Sequence, residues 1–220
     1  MFKKTIPSIL VFAIIVLLTN ACAPLSHPEI DETKNEQGTI LFADDFSDPP
    51  SGWGIWNQDG GVVEYLDGGL HFQVEDDYFD FWSVAGKSFS DVQIEVDVLK
   101  RSGPDDNDFG IICRYLNKDN FYMLVASSDG YYGIAKVKEG QYSMIGMDQL
   151  QYSDAILPGR AINHLRVDCV GETLRFYANG LKLMEAHDSD FRSGDVGLVA
   201  GAYKEIGVDI LFDQFVVSIP

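Results

Sequence analysis

The sequence from residue 39 onwards predicts an all-β sandwich or barrel, on three observations. Short segments that alternate apolar with polar residues follow one another, and Gly, Asn and Asp separate them. No segment has the 3.6-residue period of an amphipathic helix. The dipeptide Asn179-Gly180 lies between two such segments. It is a strong hairpin signal, because a type I′ turn needs positive φ at both central residues.

The strands are predicted from alternation and from their bounding turn residues. In the segment 91–100, valine or isoleucine alternates with glutamine, glutamate or aspartate, which is typical of a half-buried antiparallel strand. Periodicity of this kind predicts strands over 61–66, 69–75, 79–85, 91–100, 108–115, 121–127, 131–138, 162–170, 172–178, 181–186, 196–201 and 208–217.

The N-terminus differs from this domain. Residues 1–21 have a cationic start, an apolar run over 9–18 and Ala21 at the end, which together describe a secretory signal. Because Cys22 follows, the segment resembles a bacterial lipoprotein signal, and we expect cleavage before Cys22 and lipidation of its sulfur. An uncleaved anchor is the alternative, although about ten apolar residues are short for a span. The protein is therefore predicted to be lipid-anchored in the cell envelope, outside the cytoplasm.

Residues 22–38 comprise the lipidated cysteine and a predicted flexible acidic tether with no regular period. The whole chain has a formal charge of -18, and loss of residues 1–21 would remove two lysines and no acid. Such a chain repels phosphate backbones, so nucleic-acid binding is not expected. Attachment to a membrane is expected through the N-terminal lipid and not through a basic patch.

Cys113 and Cys169 remain once Cys22 is lipidated. Each lies on the apolar side of a predicted strand, Cys113 with Ile111 and Tyr115, and Cys169 among apolar neighbours. In an oxidising compartment we favour a disulfide between them. The alternative is two separate buried thiols that pack as small hydrophobes.

Several turn and core motifs occur in order along residues 39–220. They are FS at 46–47, SGW at 51–53, GIICRY at 110–115, NFY at 120–122, LRVDCVG at 165–171, FYANG at 176–180, GDVG at 194–197 and FDQF at 212–215. This series resembles the concanavalin A-like lectin/glucanase superfamily, in particular its laminin-G-like and 3-keto-disaccharide-hydrolase-like domains. The resemblance implies an antiparallel two-sheet jelly roll over 39–220 with adjacent first and last strands. It implies no single activity, since this fold carries lectins, hydrolases and adhesion modules.

No catalytic residue is predicted. Glu95 and Asp97 resemble the acid-x-acid start of the motif of retaining glucanases, which continues with a second glutamate. Leu99 and Lys100 stand at the later positions, so the pair of acids needed for double displacement is missing. We therefore interpret Glu95 and Asp97 as solvated acids on an outer strand face.

Four residues are candidates for ligand binding. Arg114 lies in a Gly-x-x-x-Arg strand that resembles the 3-keto-disaccharide-hydrolase-like domains, where it would donate hydrogen bonds to sugar oxygens. Trp82, Tyr115 and Tyr122 would offer rings for stacking on a sugar. The alternatives are a salt bridge for Arg114 and core packing for the aromatic residues. A structural calcium ion at Asp44, Asp45 and Asp213 is a further hypothesis, since related jelly rolls tie their first and last strands with a cation.

These observations favour a non-catalytic module that binds carbohydrate or an extracellular protein partner. A glycoside hydrolase of the 3-keto-disaccharide-hydrolase type and a structural envelope protein remain as alternatives. Because the chain is strongly acidic, a carbohydrate ligand is expected to be neutral or cationic and not a polyanion.

Overall fold

The computed structural model describes residues 36–220, which contain strands and turns and no helix. The predicted signal at 1–21, the lipidation of Cys22 and most of the tether at 22–38 lie outside the described residues. Within the described part, no helix is long and apolar enough to cross a membrane. The strands are β1 Ile40–Asp44, β2 Trp56–Gln58, β3 Gly61–Leu66, β4 Gly69–Val74, β5 Phe79–Phe89, β6 Val92–Ser102, β7 Asn107–Asn117, β8 Asn120–Ala126, β9 Tyr131–Lys138, β10 Gln141–Met144, β11 Gln151–Tyr152, β12 Ile162–Val170, β13 Thr173–Ala178, β14 Leu181–His187, β15 Gly194–Ala202 and β16 Val208–Ser218.

The strands form two antiparallel sheets, which confirms the predicted two-sheet sandwich. The nine-stranded sheet has the order β14-β13-β12-β6-β16-β4-β3-β2, and β1 also pairs with β16. The seven-stranded sheet has the order β10-β9-β8-β7-β15-β5, and β11 pairs with β9. The first and last strands are therefore adjacent, as expected, with Asp44 opposite Phe215.

The apolar core lies between the sheets, because each strand directs alternate side chains inward. In β6 the inward set is Val92, Ile94, Val96 and Val98, each at most 2% exposed. The predicted hairpin at Asn179-Gly180 is confirmed, since both residues have positive φ, 51° and 82°, and connect β13 to β14.

The predicted disulfide is also confirmed. Cys113 of β7 and Cys169 of β12 are bonded across the core, so the bridge joins the two sheets. The cysteines are 56 residues apart in sequence, and a cross-link over a loop of this length restricts the unfolded chain strongly.

Candidate functional site

The seven-stranded sheet carries apolar residues on its outer face as well as on the face that packs against the core. The buried members of this second cluster are Ile112, Phe121, Met123, Val125, Ala135 and Val199. Trp82, Tyr115 and Val137 pack against them and are themselves partly exposed. The outer face of an antiparallel sheet is commonly polar, so an apolar outer face identifies this surface as a candidate for binding.

A groove runs across this face. It consists of two adjoining depressions of about 200 and 240 Å³, which share Asp80, Met123 and Tyr142. We term their combined surface the outer-face groove. Its lining residues are Tyr78, Asp80, Trp82, Asp108, Lys118, Asp119, Phe121, Met123, Val125, Val137, Gly140, Tyr142, Val199, Ala202 and Tyr203.

Two carboxyl groups meet in the groove above a glycine. In the strand register, Gly201 of β15 lies between Asp80 of β5 and Asp108 of β7. A Cβ atom at position 201 would lie 2.7 Å from Asp108 Oδ1 and would also clash with the Asp80 carboxyl. Only glycine at this position therefore leaves room for the two carboxyls to approach each other.

The described residues supply no ion-pair partner for these two acids. Asp108 is only 5% exposed, and its Oδ1 atom has no hydrogen-bond partner. Among residues 36–220, no Lys, Arg or His forms an ion pair with Asp80 or Asp108, whereas many other acids of the domain are paired. Burial of a carboxylate without a counter-charge is costly, so the pair favours a protonated form.

The pKa values of both carboxyls shift accordingly. Burial raises the pKa of Asp80, and a hydrogen bond with Asp108 partly offsets this. Burial raises the pKa of Asp108 well above its usual range, and the nearby charge of Asp80 raises it further. The pair therefore retains a proton at pH values where an isolated aspartate has lost it, which resembles the behaviour of other close carboxyl pairs.

Aromatic side chains surround the acid pair. Partial burial first, and then the charges of Asp108 and Asp80, raise the pKa of Tyr142 to about 12. Partial burial and the charge of Asp108 also raise the pKa of Tyr203. On the other side the Trp82 ring lies 5.7 Å from the Phe121 ring. The groove thus combines ring surfaces with hydrogen-bond acceptors, the composition expected of a small-molecule site.

Two of the four residues predicted to bind a ligand lie on this face. Trp82 lines the groove. Tyr115 lies on the same face, with its ring 5.5 Å from that of Phe121, but it does not line the groove. The expectation that Tyr115 shares a face with Cys113 is therefore wrong. The register of β7 against β8 shifts between Cys113 and Asn117, and the intervening Arg114 has a φ of 54°. This bulge turns Tyr115 outward.

Arg114 lies in the interior and is only 1% exposed. Its Nη1 donates to the carbonyl oxygens of Gly171, at 2.7 Å, and Phe191, at 2.9 Å. Its Nε donates to Ser90 O, and its Nη2 is paired with Asp91. These contacts join loops that connect strands of both sheets, so Arg114 has a structural role and makes no contribution to the groove.

Tyr122 is also fully buried on the core side. Its hydroxyl donates to Asp188 Oδ1 at 2.6 Å and accepts from the Phe191 backbone N–H at 3.0 Å. Because both its donor and an acceptor position are used within the protein, Tyr122 offers no stacking surface or polar group to the groove.

The residues proposed for calcium occupy another part of the domain. Asp44 Oδ1 accepts from the Phe46 N–H, at 2.8 Å, and Asp44 Oδ2 accepts from Trp53 Nε1, at 2.9 Å. Asp45 and Asp213 accept hydrogen bonds from Ser47 and Gln214. Within the described part of the chain, no three His, Cys, Asp or Glu side chains are grouped to hold a metal ion.

Asp80, Asp108 and Tyr142 were not among the residues predicted from the sequence. The available signal was a single acid near the start of each of two mainly apolar predicted strands, 79–85 and 108–115. On the outer face of a sheet such an acid is unremarkable by itself. Its significance depends on the partner strand, and the pairing of β5 and β7 through β15 is not visible in the sequence.

Comparison with known proteins supports the fold. No protein-family model and no curated protein matches the chain. Among solved structures, the carbohydrate-binding module CBM66 from Bacillus subtilis is similar at 20% identity, over 76% of this chain and 96% of that chain, with a TM-score of 0.62. A Bacillus licheniformis β-glucanase is similar at 8% identity, over 84% of this chain and all of that chain, with a TM-score of 0.59.

A further similar structure is a Bacillus subtilis protein of unknown function with a galectin-like fold, at 13% identity, over 83% of this chain and 97% of that chain, with a TM-score of 0.60. At these identities the likeness concerns the fold alone. The domain accordingly has the concanavalin A-like jelly-roll fold that the sequence motifs predicted.

Proposed function

We propose that the domain is a non-catalytic module that binds carbohydrate in the outer-face groove. The observation that carries the proposal is the position of two acids without a basic partner, Asp80 and Asp108, beside the Trp82 and Tyr142 rings in one groove. The similarity in fold to a carbohydrate-binding module is consistent with it. A protein partner is the alternative that the experiment below tests.

The aromatic residues provide the apolar part of the site. Trp82 is half-buried against the Phe121 ring, and Tyr142 is 56% exposed, so both rings present surface to the groove. The carbon–hydrogen face of a sugar ring packs on such a surface, and the acid pair orients hydroxyl groups by hydrogen bonds. One such site with few contacts supports an affinity on the order of -5 kcal/mol, in the high micromolar range.

The spacing of the acids supports binding over hydrolysis. Retaining glycosidases hold their two carboxyls about 5–5.5 Å apart, and inverting enzymes hold them about 6.5–9.5 Å apart. The nearest oxygens of Asp80 and Asp108 both crowd the position that a Cβ of residue 201 would take, so these carboxyls are closer together than those of either class of enzyme. Glu95 and Asp97 belong to β6 in the other sheet, where Asp97 is bonded to His164 at 2.8 Å.

A glycan array followed by isothermal titration calorimetry tests this proposal. For the strongest glycan, Trp82→Ala is expected to weaken binding at least about tenfold, because it removes the largest ring of the groove. The matched control is Tyr177→Ala, since Tyr177 stacks on Arg166, at 4.7 Å, on the nine-stranded sheet. Equal losses in both variants would place the binding surface elsewhere. Absence of binding across all glycans would favour a protein partner.

We propose further that Cys22 anchors this domain to a membrane outside the cytoplasm. The support is the order of a cationic start, an apolar run and a cysteine in residues 1–22. Expression of Cys22→Ala in a bacterial host, with fractionation of the cells, tests it. The variant is expected in the soluble extracytoplasmic fraction. Retention in the membrane after a high-salt wash would contradict lipid anchoring.

A further inference from the structure

We propose that the Asp80–Asp108 pair is an ammonium-binding subsite, so that the outer-face groove prefers sugars with a free amine over neutral or N-acylated sugars. This inference rests on the proposed carbohydrate function and specifies its ligand class. It starts from an unsatisfied group, Asp108 Oδ1, which is buried and has no hydrogen-bond donor. The groove therefore contains a hydrogen-bond acceptor to which no described residue donates.

The residues around this acceptor, within the described part of the chain, supply no positive charge. The acids of the pair come from β5 and β7, and Tyr142 of β10 and Tyr203, which follows β15, are their nearest titratable neighbours. Tyr78 also lines the depression that holds both acids. Lys118 lies in the adjoining depression, where its Nζ is paired with the Asp119 carboxyl at 2.9 Å. Within residues 36–220, a positive charge at the acid pair has to come from a ligand.

An ammonium group satisfies the pair better than the other candidate ligands do. A calcium ion takes about 6–8 oxygen ligands, and the described residues offer only two carboxyls at this position. A neutral hydroxyl donates a single hydrogen bond and leaves the charge of the pair uncompensated. An ammonium has three N–H donors, so it bonds both carboxyls and brings the missing charge.

The walls of the groove suit a cationic sugar. Trp82, Tyr142 and Tyr203 surround the pair, and the faces of aromatic rings attract organic cations. The same rings pack against the apolar face of a sugar. Depressions of about 200 and 240 Å³ are small beside the sites of drug-sized ligands, so each is expected to hold about one sugar ring.

Binding of an ammonium is coupled to release of a proton. The raised pKa of Asp108 keeps a proton on the free pair to a higher pH than on an isolated aspartate, and the ligand arrives as R–NH₃⁺. In the complex both carboxyls are ionised and accept from the ammonium, and that proton passes to the buffer. No covalent bond to carbon is made or broken. Proton release therefore accompanies binding at pH values where the free pair is still protonated.

Isothermal titration calorimetry of the purified protein at pH 6 tests the subsite. The probes are the trimer of glucosamine and the trimer of N-acetylglucosamine, each measured in two buffers that differ in ionisation enthalpy. We expect the amine trimer to bind at least about tenfold more tightly, with a binding enthalpy that differs between the two buffers because protons are released. In Asp108→Asn the preference is expected to fall to within about twofold. Asp80→Asn, at a partly exposed position, gives a second test should Asp108→Asn fold poorly.

The control separates the subsite from the general attraction of an acidic domain for a polycation. Asp97→Asn removes one negative charge from the other sheet and is expected to retain the full preference. Equal loss in Asp97→Asn and Asp108→Asn would overturn the subsite. Equal affinity of the wild-type domain for the two trimers would also overturn it, while leaving the proposed carbohydrate function standing. If neither trimer binds, the subsite is wrong, and the glycan array decides separately on the proposed function.

Discussion

The acidic residues on the outer faces of the two sheets differ in whether they contact basic side chains. On the nine-stranded sheet several acids contact basic side chains: Asp97 with His164 at 2.8 Å, Asp168 with Arg166 at 2.8 Å, Glu185 with Arg175 at 2.8 Å and Asp209 with His71 at 3.0 Å. On the seven-stranded sheet, Asp80 and Asp108 face each other, and no cation of residues 36–220 pairs with them.

The paired acids of the nine-stranded sheet are compatible with a stable fold, whereas the Asp80–Asp108 pair lowers its stability. Exposed ion pairs contribute little each, but they leave no charge uncompensated. A buried carboxyl pair without a cation costs free energy in every molecule that lacks a ligand. Local features that lower stability are concentrated at functional sites, and the contrast between the faces is the reason to place the site at Asp80 and Asp108.

The largest expected effect concerns Arg114, which is buried in the interior and donates hydrogen bonds through all three of its side-chain nitrogens. Arg114→Met removes the donors to the carbonyls of Ser90, Gly171 and Phe191, and is expected to lower the free energy of unfolding by about 3 kcal/mol or more. Urea denaturation measures this change. The matched control Arg175→Met, at a partly exposed ion pair, is expected to cost about 0.5 kcal/mol. Similar costs in both variants would contradict the structural role of Arg114.

The next largest effect concerns how the free energy of unfolding depends on pH. The pKa of Asp108 is raised in the folded state, so the unfolded chain loses its proton first as pH rises from about 4. Over that interval the folded state holds more protons, and the free energy of unfolding falls by up to about 1.4 kcal/mol per pH unit for one proton. Asp108→Asn lacks this decline, and its amide can donate to Asp80. It is therefore expected to be more stable than wild type at pH 7 but not at pH 4.

Urea denaturation of both proteins from pH 4 to pH 8 gives the difference curve. Asp80→Asn serves as the companion variant and is expected to keep a smaller decline, because burial still raises the pKa of Asp108 after the charge of Asp80 is lost. A wild-type curve parallel to that of Asp108→Asn would contradict a buried acid pair without a basic partner.

The smallest effect is expected on the nine-stranded sheet. Asp97→Asn breaks a partly exposed contact with His164 and is expected to change the free energy of unfolding by less than about 1 kcal/mol. Thermal and urea denaturation measure it, and glycan affinity is expected to be unchanged. A loss of glycan binding in this variant would reverse the functional assignment of the two faces.

The fold could be predicted well because its signals are local or carried by sequence motifs. The segments 61–66, 131–138 and 162–170 were predicted with the bounds that the structure has, since alternation and turn residues mark them. The short edge strands β2, β10 and β11 were not predicted, because two to four residues show no detectable period. The disulfide followed from two cysteines on apolar strand faces.

The site could be predicted only in part, because it depends on which strands are neighbours. Trp82 was identified from its ring alone. Asp80 and Asp108 are brought together by the order β7-β15-β5 and by the absence of a side chain at Gly201, neither of which a local pattern contains. Arg114 was misplaced for a related reason. Simple alternation directs it outward, but the bulge with a φ of 54° turns it into the interior.

The comparison of the two faces is tested most directly by nuclear magnetic resonance of the labelled domain during titration with its strongest glycan. The account predicts that the largest shifts occur at the Trp82 indole N–H, at the Gly201 amide and at the Asp80 and Asp108 carboxyl carbons. The amides of Asp97, Arg166 and Tyr177 are predicted to remain unchanged. Shifts confined to those three residues, with the acid pair unaffected, would contradict it.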